Sequence, residues 1–354
     1  MAVSQIRQNT DATPSLIPRR RFGGTDLQVA EFGIGCQSFA GGLFRPVDPN
    51  ATRAILRRAF DRGVNFFDLC QSYGQLNTER LIGDLFRHER DRLVLAVKVG
   101  ETYPSKLVPL TQARYLLRPL RRALAPVKTR LHKWMYSKTR FDFSREHITR
   151  AVEDNLVALK TDYLDLVQVH APPADVIERG DFVDVLQSLR AQGKVRYFGV
   201  YCMCVDDALI ALKHPEISSV QVPFNLLNQR AAEILFPAAR RRQVAIIAKQ
   251  AFAHGVLSDD KSPLKAEFMA PTRSGLKKAV EVSGDFRFLA VAGRSMAQAA
   301  LRFVLAFPEI SVVISGIGTL EELDEDIHYI DTPPLTATEL ERAKALRPQE
   351  AFGY

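Results

Sequence analysis

Eight short apolar runs, each set off from the next by stretches of helical periodicity, limit what this chain can fold into. They are Val29–Ile34, Val64–Phe67, Leu93–Val97, Leu164–Val169, Tyr197–Val200, Ser219–Val222, Val244–Ala248 and Ser311–Ile314. Runs this short and this rich in β-branched residues read as strands. The segments between them carry helix start signals, such as Asn50 ahead of Ala51–Arg62 and Ser144 ahead of Ile148–Leu159. Strands alternating with helices call for a parallel sheet. Eight such units favour a closed (β/α)8 TIM barrel, an α/β fold in one domain, over an open doubly wound sheet. No strand is followed by a GxGxxG turn opening a helix, which argues against the open dinucleotide-binding fold. Thr336-Ala-Thr-Glu339 reads as a capping box for a last helix, Glu339–Leu346.

The barrel is expected over residues 19–347. A polar leader at 1–18, expected to be disordered, precedes it, and a short tail at 348–354 follows. The net charge of +8 is concentrated in one place. Residues 101–140 hold ten Lys/Arg against a single acid, Glu101, so this segment alone carries +9 and the remainder is near neutral. Its apolar residues Ala113, Leu117, Leu120, Leu124, Val127, Leu131 and Trp134 step by three or four, the mark of a helical stripe that Pro119 and Pro126 divide. The segment follows the third strand, so it is expected as a basic helical insertion at the catalytic mouth. It reads either as a lid packed on the barrel or as a face for an anionic partner or a membrane surface. No nucleic-acid module accompanies the charge, and nucleic acid is not expected. No run of about 20 apolar residues is present to span a membrane. Four cysteines and no secretory signal point to the cytoplasm, with peripheral membrane association left open by the insertion.

Four ionisable side chains gather at the C-terminal ends of consecutive strands, where barrels of this kind place their chemistry. Asp68 ends Val64–Phe67, Tyr73 follows it in the next loop, Lys98 ends Leu93–Val97 and His170 ends Leu164–Val169. Singly, each has a plain structural use: Asp68 as a cap, Lys98 at the surface, His170 as a satisfied core group. Together they make a coherent proton-transfer site. A phenol titrates near pH 10, and an adjacent ammonium lowers that value by favouring the phenolate. Asp68 can hold Lys98 charged and in place, while His170 can bond the phenol or a substrate oxygen. The result is a proton donor beside a carbonyl oxygen, suited to hydride transfer from a nicotinamide. Cys36, Cys70, Cys202 and Cys204 all follow predicted strands, but their spacing matches no zinc pattern, so no metal is expected.

The segments GVNFFD…YG…ERLIG (from Gly63) and DNLVALKTDYLDLVQVH (to His170) resemble the two leading signatures of the aldo-keto reductases. Similar segments run from Arg20–Gly35 to Ala297–Gly316, covering nearly everything outside the leader, residues 101–140 and the tail. The resemblance implies an NAD(P)H-dependent oxidoreductase acting on a carbonyl or alcohol. Tyr73 would be the general acid/base, Lys98 and Asp68 its tuners, and His170 would orient the substrate. It also implies a set of cofactor contacts, several of them altered here. Tyr201 and Cys202 stand where relatives usually place Ser-Asn against the carboxamide, and Gln221 is retained. Lys249, followed by Gln250, stands where an aromatic or arginine often meets the ring. The phosphate end maps to Gly255 and to Gly316-Ile317-Gly318 with the following helix. Asp260 stands where relatives tend to place a lysine, with Lys261 beside it, and the helix brings Glu322, Glu325 and Asp326 where relatives carry cations for a 2′-phosphate. The cofactor is thus NADPH or NADH, and the acids favour NADH, since carboxylates bond ribose hydroxyls and repel a phosphate. Arg273 or Lys277 would be the alternative phosphate contacts. Two other functions remain open at this stage. One is a non-catalytic cofactor-binding subunit that docks a partner through residues 101–140. The other is a redox-neutral dehydratase or epimerase with a retained cofactor.

Overall fold

The structure, a computed structural model, describes residues 16–39, 48–71, 76–102, 140–259 and 273–346. Tyr73, Asp260, Lys261, the tail at 348–354 and residues 103–139 of the basic insertion lie outside these, as does most of the leader. In chain order the strands are β1 (Arg19–Arg21), β2 (Gln28–Ala30), β3 (Phe32–Gly35), β4 (Phe66–Cys70), β5 (Val94–Val99), β6 (Glu101–Thr102), β7 (Arg140–Phe141), β8 (Leu164–His170), β9 (Val195–Tyr201), β10 (Ser219–Pro223), β11 (Ala245–Lys249) and β12 (Ile310–Ser315). The α-helices are α1 (Pro49–Asp61), α2 (Asn77–Leu85), α3 (Arg145–Leu159), α4 (Ala174–Arg179), α5 (Asp181–Ala191), α6 (Val205–Ala211), α7 (Arg230–Arg241), α8 (Arg273–Ser283), α9 (Met296–Leu305), α10 (Leu320–Ile327) and α11 (Ala337–Ala345).

Eight strands close a barrel in the order β3, β4, β5, β8, β9, β10, β11, β12, and β12 pairs back to β3. Every one of these pairings is parallel. The fold is the (β/α)8 barrel expected from the sequence. Because side chains alternate across a strand, each strand feeds two separate cores. Phe67, Leu95, Val97, Val167, Val169, Val200, Val220, Ile246 and Val313 face outward and pack under the helices. Phe66, Val94, Ala96, Leu166, Ile247 and Val312 face inward and form a second cluster with Phe22, Leu27 and Val29. Those last three belong to the antiparallel hairpin β1–β2, which plugs the N-terminal end of the barrel.

Several local signals behave as the sequence indicates, and others differ. Ser144 caps α3 by accepting from the His147 amide, and Thr336 with Glu339 forms the capping box of α11. The cap of α1 is Asp48 and not Asn50, with Pro49 supplying the pre-set first helical residue. The expected strand Val29–Ile34 is split at Glu31, so that β2 belongs to the plug and β3 to the barrel. Ile17, placed in the leader by sequence, is buried, and its amide bonds the Arg62 carbonyl. At the root of the insertion, β6 and β7 pair antiparallel, Glu101 opposite Phe141, so the chain leaves and re-enters the barrel rim as a two-stranded neck. Glycine at 199 is a packing requirement: a Cβ there would stand 2.2 Å from the Ser219 hydroxyl and 2.3 Å from its carbonyl oxygen.

A polar knot explains the break at Glu31. Arg20 donates to the Glu31 carboxylate at 2.8 Å and to the carbonyls of Leu305, Phe307 and Ile310. The phenol of Tyr329, fully buried, donates to the other Glu31 oxygen at 2.7 Å. Burial and the adjacent carboxylate hold that phenol protonated, its pKa far above the usual value. The knot ties the plug to β12 and to the segment after α10. Tyr329→Phe removes one donor from a buried carboxylate. It is expected to lower the unfolding free energy by about 1.5–3 kcal/mol, seen in urea titration as a lower midpoint at unchanged slope.

Candidate active site

The C-terminal half of the barrel interior is polar where the N-terminal half is apolar. The inward parity that runs through Phe66, Ala96, Leu166 and Ile247 continues to Asp68 and Cys70, Lys98, Gln168 and His170, and Lys249. Gln221 and Tyr201 face inward by the same alternation, since Val220, Val222 and Val200 lie in the outer core. The sequence pattern puts Asp68 and Lys98 just past the ends of apolar runs. They instead lie within β4 and β5, whose register pairs Cys70 with Lys98. Charged residues remain inside these strands because they neutralise each other.

The two form an ion pair, Lys98 Nζ donating to Asp68 Oδ2, and are 1% and 3% exposed. Gln168 donates to the second Asp68 oxygen at 3.4 Å. A buried charge without such partners costs several kcal/mol or gives up its charge. His170 ends β8 beside them, with Nδ1 3.1 Å from Glu101 Oε2 and 3.5 Å from Cys70 Sγ. Burial lowers its pKa, outweighing the Glu101 carboxylate, so the imidazole is neutral at neutral pH.

The Tyr201 ring sits among these groups. His170 meets it edge-on, with centroids 4.7 Å apart, and Lys249 Nζ lies 3.6 Å from its centroid. Lys98 Nζ is 5.3 Å from the same ring. Lys249 is 5% exposed, and burial together with the neighbouring Lys98 charge pulls its pKa down to about 7. Asp68 is committed to Lys98, which leaves Lys249 mainly the weak negative face of an aromatic ring.

The other positions named by resemblance divide. Cys202 does not reach this space: it is fully buried in the outer core and its thiol bonds the Val200 carbonyl. Burial pushes that thiol's pKa well up. Ile317 is likewise a core residue. Gln221 is buried, and its Oε1 has no partner among the described residues; the same is true of Gln250 Oε1. Two buried amide oxygens awaiting a donor fit a carboxamide-bearing cofactor. Gln250 (φ 61°) and Gly255 (φ 94°) shape the turn after β11 with left-handed backbone. At the far end, Gly316 is exposed, and Gly318 donates its amide to Glu322 Oε2 at 2.6 Å. Asp326 is buried and accepts from the Ser315 hydroxyl at 2.9 Å, while Glu325 is exposed.

Two further buried acids are not singled out by the sequence, and one of them, Glu101, belongs to this site. Glu101 contacts His170 although it lies in the neck of the insertion, and only tertiary structure brings it there. Glu79 looks like an ordinary first-turn acid of α2, yet it is 1% exposed with neither oxygen partnered among the described residues. Burial pushes its carboxyl up to about 7.

A closed eight-stranded barrel with a buried acid–ammonium pair and a neutral imidazole at its C-terminal mouth defines a class of barrel enzymes. Comparison makes the class specific. The aldo/keto reductase family model matches residues 31–348, and the chain belongs to that family of oxidoreductases. It is 25% identical to the uncharacterized oxidoreductase YqkF of Bacillus subtilis, over 94% of this chain and 98% of that protein. It is also 25% identical to pyridoxal 4-dehydrogenase of Microbacterium luteolum, over 88% and 93% of the two chains. The holo form of the aldo-keto reductase AKR11C1 from Bacillus halodurans superposes with a TM-score of 0.75, at 23% identity, covering 95% of this chain and 98% of that one.

The depressed Lys249 value has a consequence for stability. The folded protein releases this proton near pH 7, the unfolded chain only near 10.5. The unfolded state therefore binds more protons between those values, and stability rises with pH across that window; below pH 7 the full cost of burying the charge stands. Lys249→Met is expected to stabilise the protein by several kcal/mol at pH 6, since each pH unit between the folded and unfolded values is worth ~1.4 kcal/mol. The gain should shrink steadily towards pH 10, as read from urea unfolding at each pH.

Proposed function

We propose that this chain transfers hydride between a nicotinamide cofactor and a carbonyl or alcohol, with Tyr73 as general acid/base. The observation that carries this reading is the buried Lys98–Asp68 pair beside His170, with β4 ending at Cys70, three residues before Tyr73 in the sequence. Lys98 supplies the positive charge that favours the phenolate, Asp68 keeps Lys98 charged despite burial, and neutral His170 orients the substrate oxygen. The bound nicotinamide supplies or accepts the hydride. Gln221 and Gln250 would hold its carboxamide side, and Lys249, near neutrality, would tolerate a ring that alternates between cationic and neutral forms. Among named relatives, pyridoxal 4-dehydrogenase makes pyridoxal a first substrate to assay. Tyr73→Phe is expected to cut kcat about 10²–10⁴-fold while fluorescence titration shows cofactor affinity intact. Undiminished turnover would remove Tyr73 from the acid role.

The preferred cofactor on this reading is NADH. The amide of Gly318, at the start of α10, would be a natural donor to a phosphate. That donor is already engaged by the Glu322 carboxylate. Titration should find NADH bound more tightly than NADPH. Glu322→Gln should narrow the gap roughly two- to fivefold, the effect of one like charge worth ~0.3–1 kcal/mol. Equal affinities in the unmodified protein would count against NADH.

A further inference from the structure

Cys70, Glu101 and His170 bring one potential ligand atom each close together at the barrel mouth. All three are buried. Cys70 Sγ lies 3.5 Å from His170 Nδ1 and 3.8 Å from Glu101 Oε2, and the last two atoms are 3.1 Å apart. Thiolate, imidazole and carboxylate ligands at about 2.0–2.3 Å from a tetrahedral zinc ion stand about 3.3–3.6 Å from one another. The triangle therefore already has the size of one face of such a coordination shell. The donors come from the ends of the barrel strands β4 and β8 and from the start of β6, in the neck that follows β5. Cys70 also differs from its fellow cysteines. Cys36 and Cys202 pack in the outer core beneath the helices, whereas Cys70 faces the barrel interior.

From this geometry we infer that Cys70, Glu101 and His170 form a binding site for a divalent cation of the zinc type, with soft and borderline ligands and a fourth coordination position. Mixed sulfur, nitrogen and carboxylate donors select zinc or cobalt over magnesium or calcium, which prefer oxygen alone. Occupancy would also set the state of His170. With Glu101 accepting from Nδ1, a neutral imidazole carries its proton there and offers Nε2 only as an acceptor. A metal on Nδ1 moves the proton to Nε2 and makes that atom a donor. On the hydride-transfer reading above, a donor is what a substrate carbonyl oxygen requires from His170.

The test is metal titration of the full chain without cofactor or substrate, so failure here and failure of the hydride-transfer reading are separable. Cobalt(II) is expected to bind one equivalent and to give the near-ultraviolet charge-transfer band of a cobalt–thiolate bond, which zinc then abolishes. Cys70→Ala should lose the band, whereas Cys36→Ala and Cys204→Ala should keep it. Glu101→Gln and His170→Gln retain the thiol and should each weaken cobalt binding about tenfold or more; they serve if Cys70→Ala proves misfolded by circular dichroism. Absence of the band in the unmodified protein, its survival in Cys70→Ala, or unweakened binding in both of the other two variants would overturn the site.

Discussion

A closed barrel turns every second residue of eight strands into one enclosed space, and this chain fills that space in two ways. Below, apolar side chains and the β1–β2 plug exclude water from it. Above, the interior is polar, and polarity there is tolerable only if the groups offset one another's desolvation cost. The Asp68–Lys98 pair meets that condition, each charge being nearly inaccessible to solvent. Losing Asp68 would leave the Lys98 charge buried and unpaired, at a cost of about 3–5 kcal/mol, and would unbalance the field at the mouth. That field reaches the neighbouring residues. Lys98 helps depress Lys249 and contributes to keeping His170 neutral. Burial is the larger cause in both cases, and the Lys98 charge adds to it.

Much of the barrel was legible because strand parity and helix punctuation are local properties. Ser144 and the Thr336–Glu339 box mark helix starts whatever the rest of the chain does. The split at Glu31 was not legible, because the reason for it is a knot with Arg20 and Tyr329, the latter almost three hundred residues away. A similar limit explains Asp68 and Lys98. Along one strand, a charge ends an apolar run; only the register of β4 against β5 shows that the strand continues through it. Parity also separates neighbours that the sequence pattern treats alike. Tyr201 points into the mouth, while Cys202 one residue later must point to the outer core.

Three-body arrangements were the least legible. Cys70, Glu101 and His170 belong to different segments, so no spacing rule for metal ligands applies to them. In the sequence the four cysteines stand out as a group, yet among the described residues only Cys70 gathers with a histidine and an acid. Glu101 stands in the sequence as a lone acid in a basic segment. Its position in the neck, opposite Phe141 and against His170, gives that single negative charge a local purpose.

The phosphate end raises a different kind of question, since acids at a helix start are also favourable to the helix itself. Glu322 does stabilise α10 by satisfying the Gly318 amide, as any first-turn carboxylate would. What separates it from a merely structural cap is competition. A tethered carboxylate already in contact is present at a high effective concentration, so an incoming phosphate must displace it before gaining that amide. Asp326 strengthens the point from the other side. Buried, it accepts a hydrogen bond from the Ser315 hydroxyl, so that this carboxylate too is already engaged. On the NADH reading proposed above, an acidic helix start of this kind would discriminate between cofactors chiefly by what it has already bonded.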